Sequence, residues 1–226
     1  MMARVSTPEE RITIDGGPAP VSGVYARPAD PQATIVVAHG AGSGMDHPFL
    51  VGFTRAMNDK GIATLRFNFA YMEAGRRSPD RAPVAIETWR EAFATAEARA
   101  AGEPVWVSGK SYGGRIASMA VAEGMPADGL VFLGYPLHPP GKPEAIRDEH
   151  LYAIKVPMLF LEGTRDPFAT PELLDAVIAK LGDRASLVSI DGGDHSFNVR
   201  GVKRDPREVG AGLAPPAAAF IRERST

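Results

Sequence analysis

The chain contains no cysteine. That excludes disulfides, thiolate metal sites and a cysteine nucleophile. It also lacks a strong excess of charge of either sign. A formal net charge of −2 over 226 residues gives no basic face for nucleic acid and no polybasic patch for an anionic membrane surface. No apolar run approaches the ~18 residues of a membrane span. The first fifteen residues, MMARVSTPEERITID, carry no apolar core of a secretory signal, so a cytoplasmic location is expected. What the chain does have is enough apolar residue, 44%, to bury a substantial core. It has no internal repeat or long linker, and residues 1–226 are read as one domain.

Short β-branched and aliphatic runs alternate with segments of helical period. Residues 33–40, 62–67, 104–109, 129–134, 156–163 and 185–190 read as strands, most of them apolar on both faces. That is the pattern of a parallel sheet covered by helices. Phe49, Leu50, Phe53, Ala56 and Met57 form one helical stripe. Ile86, Trp89, Phe93 and Ala96 form a second, and Leu173, Leu174, Val177, Ile178 and Leu181 a third. Thr170, Pro171 and Gly182 punctuate the third as N-cap, first turn and stop. The expectation is an open, doubly wound, mostly parallel α/β sheet with helices on both faces, and an antiparallel hairpin formed at one edge by RITID and PVSGVYARP. Residues 68–83 and 135–155 fit no regular element. Each follows the carboxyl end of a strand, where open α/β sheets bind ligands, and the second is long enough to serve as a short lid.

The stretch VSGKSYGGR, residues 107–115, admits two chemistries. A phosphate-binding loop needs G-x-x-x-x-G-K-[ST], but the first glycine position is Pro104, and Val105, Trp106 and Val107 belong to a strand. GAGSG at residues 40–44 fails the dinucleotide pattern because Met45 stands at its third glycine. The alternative, G-x-S-x-G, needs a serine on a sharp turn between a strand and a helix. VWVSG supplies the strand, RIASMAVAEG the helix, and Gly109, Gly113 and Gly114 the small residues that such a turn demands.

A serine hydroxyl needs a base, and the base an acid to orient it. After Ser111, Asp166 falls in the loop that follows one strand and His195 in the loop that follows the next, in the order Ser, Asp, His. Glu162, at a strand end, is the better rival for the acid; Asp191 and Asp194 lie too close to His195 in sequence. The amides of Tyr112 and of Ala41, in the glycine-rich loop after the first parallel strand, are the candidate oxyanion donors. His39 is assigned to organising that loop. No metal-binding spacing occurs among the five histidines, and no cofactor is expected.

AHGAGSGMDHPF, RFNFAYMEAGRR, GKSYGGR, LGYPLHPPGKPE, EGTRDPF and GGDHSF together resemble the α/β-hydrolase superfamily, most closely its small, nearly capless dienelactone-hydrolase-like members. The resemblance covers most of the chain. It implies the α/β-hydrolase fold and Ser111, Asp166 and His195 as a catalytic triad, and it does not fix a substrate; a small-molecule acyl substrate is expected from the triad. True dienelactone hydrolases use a cysteine nucleophile, which this chain lacks. The expected activity is hydrolysis of an ester, lactone, thioester or related acyl bond through an acyl-enzyme. An acyltransferase with the same triad and a non-catalytic interaction module are the alternatives. Phe69, Arg76, Arg77, Tyr135 and His138 are candidate pocket residues, and the two arginines would favour an acidic substrate unless they are a solvated surface pair.

Overall fold

The computed structural model describes residues 7–225. Eight strands form one sheet in the order β1-β2-β4-β3-β5-β6-β7-β8. They are β1 (Glu9–Ile14), β2 (Val21–Ala26), β3 (Ala33–Ala38), β4 (Ile62–Phe67), β5 (Val105–Lys110), β6 (Leu130–Leu133), β7 (Met158–Gly163) and β8 (Ala185–Ile190). β1 and β2 are the expected antiparallel hairpin, and β2 pairs antiparallel with β4. The remaining pairings are parallel.

The central strands are buried on both faces, and their side chains divide by period two. Val105 and Val107 of β5 enter one core, while Trp106 enters the other. The first core is closed by α3 (Ala82–Arg99), α4 (Tyr112–Ala122) and α5 (Pro171–Leu181), with Trp89, Ile116 and Leu174 packed inward. The second is closed by α1 (Pro48–Asn58) and α6 (Pro206–Arg224), which contribute Phe53, Met57, Leu213 and Phe220. Residues 68–83 contain one short helix, α2 (Ala70–Glu73).

The sequence pattern assigns no element to residues 206–224, because Pro215 and Pro216 lie inside α6 and break its helical signature. Tertiary contact holds the helix. A Cβ on Gly52 of α1 would collide with the Arg207 carbonyl, and one on Gly210 of α6 with the Phe49 carbonyl, so the two backbones touch directly. At α5, Thr170 occupies the N-cap position but its hydroxyl makes no capping bond, while Gly182 ends the helix at φ 63°.

The order of strand succession reverses between the parallel neighbours β3 and β5: β3 leads to β4 on one side, β5 to β6 on the other. The loops leaving their carboxyl ends diverge and leave a crevice at this switch point. Residues Gly40–Ser43 and Ser111 stand on its two sides.

Candidate active site

Ser111 is the N-cap residue of α4, at φ 50° and ψ −112°. A positive φ is costly for a residue with a side chain and persists only where packing enforces it. The enforcement is visible. A Cβ at Gly113 would lie 2.6 Å from the His39 carbonyl oxygen, and one at Gly109 would collide with the Gly114 amide nitrogen. Strand and helix therefore meet at a tight elbow. The Ser111 hydroxyl makes no helix-capping bond; it lies 2.8 Å from His195 Nε2.

His195 sits in the loop after β8. Its Nδ1 is 2.5 Å from Asp166 Oδ2, in the loop after β7. A carboxylate accepts, so Nδ1–H donates and Nε2 is left to accept from Ser111. Asp166 is 4% exposed. Burial by itself would raise its pKa. The hydrogen bond from His195, the neighbouring Glu162 carboxyl, the imidazole charge and the Phe168 amide outweigh burial and hold the carboxyl below its ordinary value. The Phe168 ring packs on the imidazole at a centroid distance of 4.2 Å. The structure thus brings Ser111, His195 and Asp166 into one hydrogen-bonded chain.

A cavity of about 530 Å³ opens over this chain. Phe49 and Leu50 from α1, Pro206 and Val209 from α6, and Phe168 make its apolar wall. Ser43, His47, Ser196 and Asn198 make its polar rim, and Gly40, Ala41, Lys110, Ser111 and His195 complete it. Ala41 therefore faces the same space as Ser111, and Tyr112 is the first residue of α4, where a helix amide has no intrahelical acceptor.

The glycine-rich loop is held from behind. His39 is fully buried; its Nε2 lies 3.2 Å from the Phe69 nitrogen and accepts that amide, so Nδ1 carries the proton donated to the Gly40 carbonyl at 2.8 Å. Burial lowers the His39 pKa to about 4, against a smaller opposing effect of the Gly40 bond. Its neutral ring is thus a strut. The Tyr71 hydroxyl accepts the Gly42 amide at 3.2 Å and lies 3.5 Å from the Gly40 carbonyl.

The five expected pocket residues stand elsewhere. Phe69 is fully buried against His39. Arg76 pairs with Asp80 at the surface, and Arg77 is exposed. Tyr135 is buried with its hydroxyl donating to the Arg147 carbonyl, and His138 is buried with Nδ1 at the Pro139 carbonyl. None of the five is among the cavity walls. Residues 135–155 do not cover Ser111 either: their 3-10 turn, Glu149–Ala153, packs on α4, where His150 Nε2 bonds Ser118 Oγ at 2.8 Å. The sequence missed the walls because Phe49 and Leu50 read as core. Phe168, two residues past Asp166, offered the one local signal.

One oxygen of Glu162, one of Asp166 and a His195 ring nitrogen lie within 4.8 Å of one another, a spacing that could admit a cation. Asp166 and His195 already serve the hydrogen-bonded chain, and the buried ammonium of Lys110 stands beside them, which disfavours a second positive ion.

A family model described as an alpha/beta hydrolase domain matches residues 31–215. Among curated proteins, a putative phosphoribosyl transferase from Mycobacterium tuberculosis is 25% identical over 197 residues, covering 85% of this chain. The chain spans 43% of that relative's length, so the relative carries more than this match. Among solved structures, a dienelactone hydrolase from Anabaena variabilis superposes with a TM-score of 0.77 at 20% identity, covering 97% of this chain and 99% of its own. A lidless a/b serine hydrolase from Xanthomonas campestris gives 0.74 at 20% identity, with 96% of each chain covered. At such identities these two likenesses establish a shared fold.

Proposed function

The chain belongs to the alpha/beta hydrolase domain family, and from that premise we propose that it is a serine hydrolase cleaving an ester, lactone, thioester or related acyl bond. The observation that carries the reading is the hydrogen-bonded chain from Ser111 through His195 to Asp166, set at the floor of a largely apolar cavity. Ser111 Oγ attacks the acyl carbon as His195 Nε2 takes its proton. Asp166 fixes the ring and stabilises the imidazolium. The amides of Tyr112 and Ala41 receive the developing oxyanion. His195 returns its proton to the leaving group, and water then repeats the sequence on the acyl-enzyme to release the acid. The apolar wall formed by Phe49, Leu50, Phe168 and Val209 suits a neutral acyl portion, and among the described residues no arginine lines the cavity to select an acidic one.

The test is covalent labelling with a fluorophosphonate probe, paired with hydrolysis of p-nitrophenyl esters of graded chain length. The wild-type protein is expected to label. Ser111→Ala should abolish labelling and lower hydrolysis by ~10⁴-fold or more. A folded wild-type protein that stays unlabelled would sink the proposal.

A further inference from the structure

The triad leaves two buried ionisable groups unused. Glu162, the last residue but one of β7, is 3% exposed. Its Oε2 accepts the Tyr135 amide at 2.7 Å, and its Oε1 is buried with no donor among the described residues. Lys110, at the end of β5, has its stem at the cavity while its Nζ is buried without a hydrogen-bond partner. Both Lys110 and His195 press on Gly134, where a Cβ would lie 2.9 Å from Nζ and 3.6 Å from His195 Cε1. Four strand ends thus converge behind the triad acid.

Two carboxyl groups in this space cannot both ionise cheaply. Asp166 already receives two donors, His195 Nδ1–H on one oxygen and the Phe168 amide on the other, whereas Glu162 receives one. The charge therefore resides on Asp166 and the shared proton on Glu162. Glu162 and Asp166 each place an oxygen within 4.8 Å of the other, and only a proton on Glu162 turns that approach from repulsion into a bond. Lys110 and Asp166 then leave the buried cluster neutral.

We propose that Glu162 is a positioning residue of the triad, donating a hydrogen bond from its protonated carboxyl to Asp166 and so fixing the acid that orients His195. The groups facing it act in both directions, and those that favour the proton prevail. Burial and Asp166 push its pKa well above the ordinary carboxyl value, and the Lys110 charge and the Tyr135 amide oppose them only in part. Asp194 lies farther out and acts on Lys110. The catalytic consequence rests on the hydrolase reading; the bond itself does not.

Two measurements on the intact protein separate those questions. Infrared spectroscopy at neutral pH should show a buried carboxylic-acid C=O band that is absent in Glu162→Gln. Absence of that band from wild type overturns the proposal whether or not the protein is an enzyme. Kinetically, Glu162→Leu removes both the donor to Asp166 and the acceptor for the Tyr135 amide and should lower p-nitrophenyl butyrate hydrolysis at pH 7 by about tenfold or more, whereas Glu162→Gln, which keeps both, should recover most of it. Asp166→Asn should fall by ~10⁴-fold. The alkaline decline that follows from ionising Glu162 should be missing from Glu162→Gln, an effect that a purely structural role would not produce. If Glu162→Gln falls as far as Asp166→Asn, Glu162 is the ionised partner and the proposal is overturned. Fluorophosphonate labelling of wild type reports on the hydrolase reading separately.

Discussion

Tyr71 illustrates how one hydroxyl reaches the candidate site without touching it. Its oxygen accepts the Gly42 amide and lies near the Gly40 carbonyl, on the loop that carries Ala41. Tyr71→Phe removes that acceptor and leaves the Gly42 amide unpaired. Gly42 is exposed, so water can replace the lost acceptor, and the local cost is that of one part-buried hydrogen bond, about 0.5–1.5 kcal/mol. The chain should still fold, since the ring stays in its aromatic cluster with Phe69 and Tyr112. With the Ala41 amide less firmly aimed, kcat should drop by about tenfold with KM little changed. Steady-state kinetics check this, and an unchanged kcat would show that His39 alone holds the loop. Residues of this class are hard to read from sequence. Ser111, Asp166 and His195 are legible because strand, turn and helix punctuation places each past a carboxyl edge. Tyr71 lies in an irregular stretch, and nothing local marks its contact with a loop thirty residues away. Lys110 was legible only as the variable position of G-x-S-x-G, because what it meets comes from β6, β7 and the loop after β8.

At the scale of elements, the strands were readable because burial on both faces demands unbroken apolar runs, and their observed bounds differ from expectation by a residue or two at the ends. α6 was not readable. Pro215 and Pro216 each remove a helical amide bond, so local propensity argues against a helix that docking on α1 supplies. The segment 135–155 failed in the opposite way: its position suggested a lid, but His150 and Ser118 tie it to α4. The α1–α6 contact can be probed directly. A Cβ at Gly210 meets the Phe49 carbonyl and the Phe53 amide, both backbone, so neither partner can swing aside. Gly210→Ala should gain a little helix propensity and lose far more by prising the helices apart, a net destabilisation of about 1–3 kcal/mol. Gly212→Ala, with open space at the same helix, is the control and should be neutral or stabilising. Urea denaturation of the pair decides it. Because Phe49, Leu50, Pro206 and Val209 wall the cavity, Gly210→Ala should also raise KM for long-chain esters.

Across the whole molecule, stability and the candidate site pull against each other at Lys110. Its Nζ is buried without a hydrogen-bond partner, and burial pulls its pKa down from 10.5 to about 8 despite the raising influence of Glu162, Asp166 and Asp194. The folded protein therefore carries an ammonium that the unfolded chain would rather hold in water. Between about pH 8 and pH 10.5 the unfolded chain binds more protons than the folded one, so this cost is fully present below pH 8 and disappears as pH rises through that window. That lowered value already includes the attraction of Asp166, so removing the ammonium should leave a net stabilisation on the order of 1–3 kcal/mol, even though Asp166 loses a neighbouring cation. Lys110→Met should accordingly raise the denaturation midpoint at pH 7, and its advantage should shrink toward zero by pH 10.5. Measuring it in the Glu162→Gln background removes the proton of Glu162 from the comparison. If the stabilisation is independent of pH, the ammonium is not the source of the cost. If Lys110→Met destabilises at pH 7, the charge is compensated by Asp166 more fully than its missing hydrogen bonds suggest.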